Sequence, residues 1–397
     1  MGTQFQNAFS DNALKNLVIL LVLTQPLNEE ARNTHVALAG ALFAAPFILF
    51  SMLGGWLADR FSKREVMSYV KLSEILIMLL AAFGFWTNTM PFQFSAIFLM
   101  GCHSAIFAPS KYSILPEILP AERLSWGNGI LELLTFLGII AGTVAGGFLA
   151  THFRDKAYGA ALLLAILAAG GWLMCSGISR SVPANPSCPA RINPVTDFWR
   201  QLSFMKLDRD LWRANLGNAG FFFIAALVQM NLVLYGQSVL ALSESQIGML
   251  NAALAVGIGI GSVAAGYASR GRINYRLVPF GAMIMSFATL PMGFQNVSPG
   301  LFYTCLVVLG LGGGFFIVPI AAVLQHSPTP ENKGAVQGAA SVLSFVGILL
   351  ASGVQVVMNK FLHVEIAHVF WVCGVTALVC GLYAKKSRAT IDASLKR

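Results

Sequence analysis

The stretch GWLADRFSKR, from Gly55 to Arg64, joins two apolar runs near residues 36–58 and 66–87. Each run is about 20 residues long, the length that crosses a bilayer as a helix. Gly55 permits a close contact between helices because it has no side chain. Asp59 falls at a helix end, where its carboxylate can pair with a cation or cap the N-terminus of a neighbouring helix. Three basic residues predict a cytoplasmic position for this loop: Arg60, Lys63 and Arg64.

The composition agrees with a membrane protein. Of the 397 residues, 56% are hydrophobic and only 11% are charged, whereas a soluble domain carries about 25% charged residues. This excludes a disordered chain, a secreted disulfide scaffold and a typical cytosolic enzyme. A membrane β-barrel is disfavoured because its strands would alternate apolar and polar residues. The net charge of +9 does not indicate a nucleic-acid partner, because the basic residues lie between apolar runs rather than on one dense face.

Twelve apolar segments follow one another along the chain, and each predicts one transmembrane helix. They lie near 4–24, 36–58, 66–87, 92–113, 126–151, 157–179, 212–236, 246–269, 277–295, 299–325, 334–358 and 364–384. The first segment is not a cleaved signal peptide, because it has neither a basic n-region nor a small-residue cleavage site. The fold class is therefore an all-α integral membrane protein with 12 transmembrane helices.

The distribution of basic residues predicts the orientation. An even number of spans puts both termini on the same side of the membrane. If that side is the cytoplasm, 20 basic residues lie in cytoplasmic segments and four lie on the opposite side. This excess obeys the positive-inside rule. We therefore expect both termini to be cytoplasmic.

The longest polar stretch, about 181–211, lies between the sixth and seventh segments. Its first half contains four prolines, and an amphipathic run follows. This composition predicts a solvated connector on the membrane surface. The stretch divides the chain into an N-terminal six-helix bundle at 1–180, a cytoplasmic linker at 181–211 and a C-terminal six-helix bundle at 212–397.

The two halves resemble each other. A shift of 211 residues places Gly55 on Gly266 and Trp56 on Tyr267. A shift of 210 residues aligns three further pairs: Pro109 with Pro319, Pro120 with Pro330, and Arg123 with Lys333. A six-helix unit duplicated in the same orientation is the plan of the major facilitator fold.

The loop quoted above resembles the signature loop of the major facilitator superfamily, G-x-x-x-D-[RK]-x-G-[RK]-[RK]. Ser62 replaces the usual glycine, and Arg270 stands in the second half where an aspartate would be expected. Such loops are understood as conformational latches. The resemblance therefore assigns a role in switching to Gly55, Asp59, Arg60, Lys63 and Arg64.

Several polar side chains fall inside the predicted spans, where a charge costs about 3 kcal/mol. Asn7, Asp11 and Lys15 are spaced to form one stripe on the first helix, where Asp11 and Lys15 can pair. Lys71 and Glu74 are three residues apart on the third helix, and we expect Lys71 to reach the headgroups. The lone amides are expected to form hydrogen bonds between helices.

For Asp11, Lys111 and Glu132 a functional role is favoured over a structural one, because the second half of the repeat has no charged residue at the corresponding positions. At the 210-residue shift, Asp11, Lys111 and Glu132 correspond to Phe221, Ala321 and Val342. One charged wall and one apolar wall would suit an amphiphile, with its headgroup on the first half and its acyl tail on the second.

Four stretches resemble bacterial lysophospholipid transporters of the same superfamily: QFQNAFSDNAL at 4–14, APSKYSIL at 108–115, NGILE at 128–132, and GGGFFIVP at 312–319 with its following LQ. The resemblance implies movement of lysophospholipid, chiefly lysophosphatidylethanolamine, across the bacterial inner membrane to the cytoplasmic leaflet. There a partner acyltransferase/acyl-carrier-protein synthetase would reacylate it.

The same resemblance supplies the headgroup-site candidates, with Gln229 standing where the family carries an arginine in the seventh span. If that arginine holds the lipid phosphate, this chain uses another cation, such as Lys111 or Lys15. Ala321 likewise replaces a family asparagine. The predicted substrate-binding residues are Asp11, Asn12, Lys15, Lys111, Asn128, Glu132 and Gln229.

Enzymatic motifs are missing from the sequence. There is no phosphate-binding loop, so ATP is not expected to drive transport, and no acyltransferase or hydrolase motif occurs. The cysteines and histidines show no metal-ligand spacing, and His103 is expected to be a packing residue. We expect no enzyme activity, cofactor or metal. Two alternatives stay open: a proton-coupled drug or small-molecule antiporter using Asp11 or Glu132, and a scaffold that recruits acyltransferases through 181–211.

Overall fold

The computed structural model describes residues 1–25, 28–179, 181–189, 193–295 and 297–394. The protein is 86% helical, with no strand among these residues. The α-helices are α1 (Gly2–Leu23), α2 (Glu29–Arg60), α3 (Lys63–Trp86), α4 (Met90–Ile118), α5 (Leu124–His152), α6 (Ala157–Ser176), α7 (Pro194–Leu207), α8 (Arg209–Ser238), α9 (Glu244–Ala268), α10 (Leu277–Met292), α11 (Pro299–His326), α12 (Lys333–Val356) and α13 (Val369–Ser394).

Each of the twelve predicted spans corresponds to one long helix, and α7 lies in the linker. Among the described residues, ten helices are long and apolar enough to cross a membrane. The other two are α10, with 16 residues, and α1, which carries the polar stripe. Two ends differ most from the prediction: α13 continues to Ser394, and α2 begins at Glu29, where the Asn28 side chain accepts a hydrogen bond from the Ala31 amide at 2.8 Å. Hydropathy does not detect a polar first turn of this kind.

The prolines matched by the repeat occupy equivalent places. Pro109 and Pro319 lie inside α4 and α11. Pro120 and Pro330 lead into short 3₁₀ turns that precede α5 and α12. Helix pairing repeats in the same way, because the contacts of α1/α6, α2/α4, α3/α4 and α3/α6 recur as α8/α13, α9/α11, α10/α11 and α10/α13. The internal duplication is thus visible in the packing.

The chain forms two compact units. The first comprises Met1–Ile118, Leu137–Gln201 and Thr329–Val342, and the second comprises Leu119–Phe136, Leu202–Pro328 and Leu343–Arg397. Thus the start of α5 groups with second-half helices, and the start of α12 groups with first-half helices. Glycines explain this grouping, because Gly129 lies against the Ser262 backbone and Gly334 against the Gly55 backbone, where a Cβ would clash. The predicted bundles at 1–180 and 212–397 follow sequence order and stay a prediction.

The linker is more closely packed than a solvated connector. Its amphipathic run forms α7, in which Leu202 and Met205 are buried. The Asn215 side chain of α8 contacts the Met205 sulfur at 3.9 Å. Trp199 and Val195 stay exposed, so only one side of the helix faces outward.

Candidate functional site

Asp11 lies buried on α1 and faces α4. Its carboxylate accepts hydrogen bonds from the Ser104 hydroxyl at 2.7 and 2.8 Å and from the Asn7 side-chain amide at 3.1 Å. The stripe on α1 therefore points into the first unit, as its helical spacing predicts. Both bonding partners of Asp11 are neutral groups.

Lys71 does not reach the headgroups, and that prediction is wrong. Its side chain is fully buried, and the ammonium donates to Glu74 at 2.5 Å, to Gln6 at 2.6 Å and to Asn7 at 3.1 Å. Gln6 also donates to the second oxygen of Glu74 at 2.9 Å. Because these acceptors replace water for all three ammonium hydrogens, the lysine has no need to extend to the membrane surface.

His103 connects Glu74 to the partners of Asp11. Its Nε2 lies 3.4 Å from the Glu74 carboxylate, and its Nδ1 lies 3.4 Å from the Ser104 hydroxyl. The imidazole also stacks on Phe107, so packing is only part of its environment. We call the following set the polar cluster: Gln6, Asn7, Asp11, Lys71, Glu74, His103 and Ser104. The spacing of Lys71 and Glu74 was a signal in the sequence, but the participation of His103 and Ser104 was not.

Asp11 and Lys15 do not form the predicted pair. The Lys15 ammonium donates to the Asn12 side chain at 3.3 Å and lies 5.3 Å from the centroid of the Phe43 ring. Asn12 in turn donates to the Ala8 carbonyl at 2.8 Å. Lys15 and Asn12 thus form a separate polar group on α1, one turn beyond Asp11.

Lys111 lies on the same face of α4 as Ser104, because the two are seven residues apart, or about 10 Å along the helix. The Lys111 side chain is 8% exposed, and its ammonium lies 4.2 Å from the centroid of the Tyr112 ring. The first unit therefore contains four predicted site residues: Asp11, Asn12, Lys15 and Lys111.

The other three predicted site residues belong to the second unit. Asn128 is fully buried and exchanges two 2.8 Å hydrogen bonds with Gln325 of α11, so its amide is already bonded by the protein. Glu132 follows one turn later and is half-buried. Gln229 is exposed within the α8 span, and an exposed amide at this place is better suited to a water-filled path than to lipid.

The second-half counterparts of the polar cluster are apolar. Phe221, which corresponds to Asp11, is buried and stacks on Phe316 at 6.1 Å between ring centroids. Gly313, which corresponds to His103, lies directly against the Phe221 ring. One aromatic side chain thus occupies the space that the hydrogen-bonded groups fill in the first half.

The Asp59 carboxylate caps the N-terminus of α12. Its two oxygens accept hydrogen bonds from the Gly334 amide at 2.6 Å and the Ala335 amide at 2.8 Å. The backbones of Gly55 and Gly334 touch, so that neither position has room for a Cβ. Of the two roles predicted for Asp59, the structure shows the helix cap.

The basic residues of this loop bond to neighbouring helices of the first unit. Lys63 is buried, and its ammonium lies 2.5 Å from the Glu117 carboxylate at the end of α4. Arg64 donates to the Ser176 carbonyl at the end of α6, at 2.8 Å. Ser62 has a φ of −58°, which any residue adopts, so the replacement of the family glycine is accommodated without strain.

Residues 181–189, which we call the linker strap, are tied to the end of α2. Three hydrogen bonds join them: Asn185 N–H to the Asp59 carbonyl at 2.8 Å, Trp56 Nε1–H to the Pro189 carbonyl at 2.9 Å, and Arg60 to the Cys188 carbonyl at 3.1 Å. Arg60 also lies over the Trp56 ring, 5.2 Å from its centroid. Sequence reasoning missed this contact, because the strap has no periodic pattern.

Known transporters resemble this chain over most of its length. The profile of the Major Facilitator Superfamily matches residues 3–352. The solved structures that it resembles include the human organic anion transporter MFSD10, with a TM-score of 0.80, 14% identity and coverage of 96% of this chain and 98% of that one. A structure of the Escherichia coli fucose:proton symporter FucP gives a TM-score of 0.74 at 12% identity, over 96% and 97% of the two chains. These likenesses concern the fold.

A curated relative is more similar in sequence. The lysophospholipid transporter LplT of Yersinia pestis (strain Pestoides F) is 32% identical over 345 residues, which is 84% of this chain and 80% of the relative. The chain belongs to the major facilitator superfamily and, within it, to the family of lysophospholipid transporters. It is therefore a multi-pass membrane protein of a transporter family.

Proposed function

We propose that this protein moves lysophospholipids, such as lysophosphatidylethanolamine, across the bacterial inner membrane to the cytoplasmic leaflet. Transport occurs by alternating access and uses no ATP. The observation that carries the proposal is the unequal distribution of charge: ionisable groups on α1 and α4 correspond to apolar side chains in the second half. A substrate with one charged end and one acyl chain matches such a distribution.

In this proposal, charged side chains bind the substrate headgroup. Lys111 and Lys15 carry the ammonium groups for the phosphate, and Asp11 and Glu132 carry the carboxylates for the headgroup amine. Asn12 accepts a hydrogen bond from Lys15, Asn128 joins α5 to α11 through Gln325, and Gln229 supplies an exposed amide on α8.

The contact between Asp59 and the start of α12 serves as the conformational latch. The cap satisfies amide groups that a helix N-terminus otherwise leaves unpaired, and Gly55 and Gly334 let the two backbones approach. Arg60 bonds the end of α2 to the linker strap, and Lys63 and Arg64 bond the start of α3 to α4 and α6. Alternating access requires this contact to break and form again in each cycle.

Orientation and partner follow from the proposal. The excess of basic residues in the loops on one side supports a cytoplasmic position for both termini. The product is a lysophospholipid in the cytoplasmic leaflet, which a membrane-associated acyltransferase/acyl-carrier-protein synthetase would reacylate.

The test is lysolipid flipping in proteoliposomes that contain the purified protein. Fluorescent lysolipids with zwitterionic, anionic and cationic headgroups are compared in wild type, Lys111→Ala and Glu132→Ala, with the exposed Lys156→Ala as the matched control. We expect flipping of zwitterionic lysolipid, reduced at least tenfold in the first two variants and unchanged in the control. Vesicles that flip no lysolipid at all would refute the proposal, and binding of a soluble acyltransferase by such a protein would favour the scaffold alternative.

The second candidate is a proton-coupled antiporter of drugs or other small molecules. It is favoured by the burial of Asp11 among neutral partners, because a buried carboxylate of this kind is a candidate protonation site. Export of a cationic dye that follows an imposed pH gradient, and that Asp11→Asn abolishes, would support it. Lysolipid flipping that persists when a protonophore collapses the gradient would exclude it.

A further inference from the structure

We infer that the polar cluster is a binding site for one exchangeable proton, held between Asp11 and His103 through the Ser104 hydroxyl. The inference concerns the protein without substrate, so it does not depend on which molecule is transported. It rests on the charges inside the cluster and on the donors and acceptors that its geometry leaves available.

The fixed charges do not balance. Lys71 and Glu74 form a buried ion pair whose hydrogens and oxygens are used by each other, by Gln6 and by Asn7. These two charges cancel. Asp11 is the second carboxylate, and its bonded partners, Ser104 and Asn7, are neutral. With a neutral imidazole, the cluster therefore carries one negative charge, and a single added proton removes it.

The surrounding helices do not supply the missing positive charge by direct contact. Lys15, on α1, faces Asp11 from one turn away but bonds to Asn12. From α6, Cys175 faces Lys71 and Glu74, and the α-amino group of Met1 faces Cys175. Cys175 is uncharged when protonated, so it does not compensate Asp11. The negative charge of Asp11 is therefore not compensated by any direct contact in the described part of the chain, and a bound proton would neutralise it.

The Ser104 hydroxyl offers the proton two arrangements without movement of heavy atoms. In the first, Asp11 is protonated and donates to Ser104 Oγ, while the Ser104 hydroxyl donates to His103 Nδ1. The neutral imidazole then carries its hydrogen on Nε2, which faces the Glu74 carboxylate at 3.4 Å.

In the second arrangement, the Asp11 O–H bond has broken and its proton has passed to Ser104 Oγ, while the original Ser104 proton has moved to His103 Nδ1. Asp11 is then an anion that accepts from Ser104, and the imidazolium donates from Nδ1 to Ser104 while its Nε2 faces the Glu74 carboxylate at 3.4 Å. The number of protons is the same in both arrangements, and the shared proton and the Ser104 hydroxyl proton each have an acceptor in both.

The duplicated half has no equivalent site, because Phe221 and Gly313 stand where Asp11 and His103 are. The fold consequently does not require these groups, and proton binding is a property added to the first half. Loss of the proton leaves a net negative charge among side chains of α1, α3 and α4.

The experiment follows protonation directly in the full-length protein reconstituted in liposomes without substrate. Infrared difference spectra record the carbonyl stretch of a protonated carboxylic acid, and NMR of isotope-labelled histidine records the charge of His103, between about pH 5 and about pH 8. We expect a carboxylic-acid band that disappears as pH rises, with the His103 signal changing at the same midpoint. The exposed Asp155→Asn and His152→Gln variants are controls that leave both changes in place.

Three variants test the assignment. Asp11→Asn should remove the infrared band. If that variant does not fold, Asp11→Glu is measured instead, and it should keep a carboxylic-acid band. Ser104→Ala removes the bridging hydroxyl, so the carboxylic acid and the imidazole should titrate at separate midpoints. A wild-type protein with no protonated carboxyl and a neutral His103 throughout would overturn the inference. A band that survives in folded Asp11→Asn protein would also overturn it. Failure of lysolipid flipping would leave these spectra unaffected.

Discussion

The side-chain amides of Asn128 and Gln325 form two reciprocal hydrogen bonds of 2.8 Å although 197 residues separate them in sequence. Both side chains are almost completely buried. The amide pair joins α5 to α11 within the second unit, so its first effect is on stability rather than on substrate contact.

Asn128→Ala should lower the free energy of unfolding by about 1–3 kcal/mol, because the Gln325 amide is left without its buried partner. Thermal unfolding of purified protein in detergent measures the change. The double variant Asn128→Ala/Gln325→Ala should lose less than the sum of the two single losses. A variant with normal stability but a weakened apparent affinity for lysolipid would show instead that Asn128 binds substrate.

Gly55→Ala should slow transport, because the added Cβ meets the Gly334 carbonyl in the contact between α2 and α12. Gly40→Ala, on the same helix, is the matched control, since nothing lies within 4 Å of a Cβ at that position. Initial rates of lysolipid flipping, compared at equal protein content, give the effect. Equal rates in the two variants would argue that the contact has no part in the transport cycle.

Asp59→Ala should weaken the α12 cap by about 1 kcal/mol, because two backbone amides lose their acceptor. Asp59→Asn keeps one side-chain oxygen and should have a smaller effect. If the cap is the latch, both variants change the transport rate even at temperatures where the protein stays fully folded. A change in melting temperature alone would make Asp59 purely structural.

Lys71→Met should destabilise the protein by about 3–5 kcal/mol, since Glu74 would be left as an unpaired buried charge. Lys71→Met/Glu74→Gln should recover much of that loss, because the charge is removed along with its partner. Folded yield and thermal unfolding report the difference. If Lys71 reached the headgroups after all, the single variant would be as stable as Lys156→Ala.

Gln229→Arg should shift headgroup preference towards anionic lysolipids, because it restores the cation that the family carries there. The side chain is exposed, so we expect little effect on stability. Competition between anionic and zwitterionic lysolipids for flipping measures the preference, and an unchanged ratio would place the phosphate elsewhere.

The transmembrane helices were predictable from the sequence. The side chains that form the polar cluster were predictable only in part. A bilayer demands about 20 apolar residues per span, so hydropathy finds each of the twelve segments. It misplaces the start of α2, because the Asn28 cap is polar. Asp11 and Glu74 were visible as charges in apolar runs, and Lys71 was seen to lie three residues from Glu74, but it was expected at the headgroups rather than in a buried pair. Ser104 and His103 join Asp11 only through the packing of α4 on α1 and α3, which no local pattern encodes.

Asp59 is anchored twice, by its carboxylate to the start of α12 and by its carbonyl to Asn185 of the linker strap. The strap is thus held at a fixed position beside the end of α2. Because the strap is bonded to the end of α2 at several points, a displacement of that end would move the strap with it. Insertions between Asn185 and Pro189 should therefore change transport more than insertions of equal length beyond Pro189, because only the former separate atoms that are bonded to the end of α2.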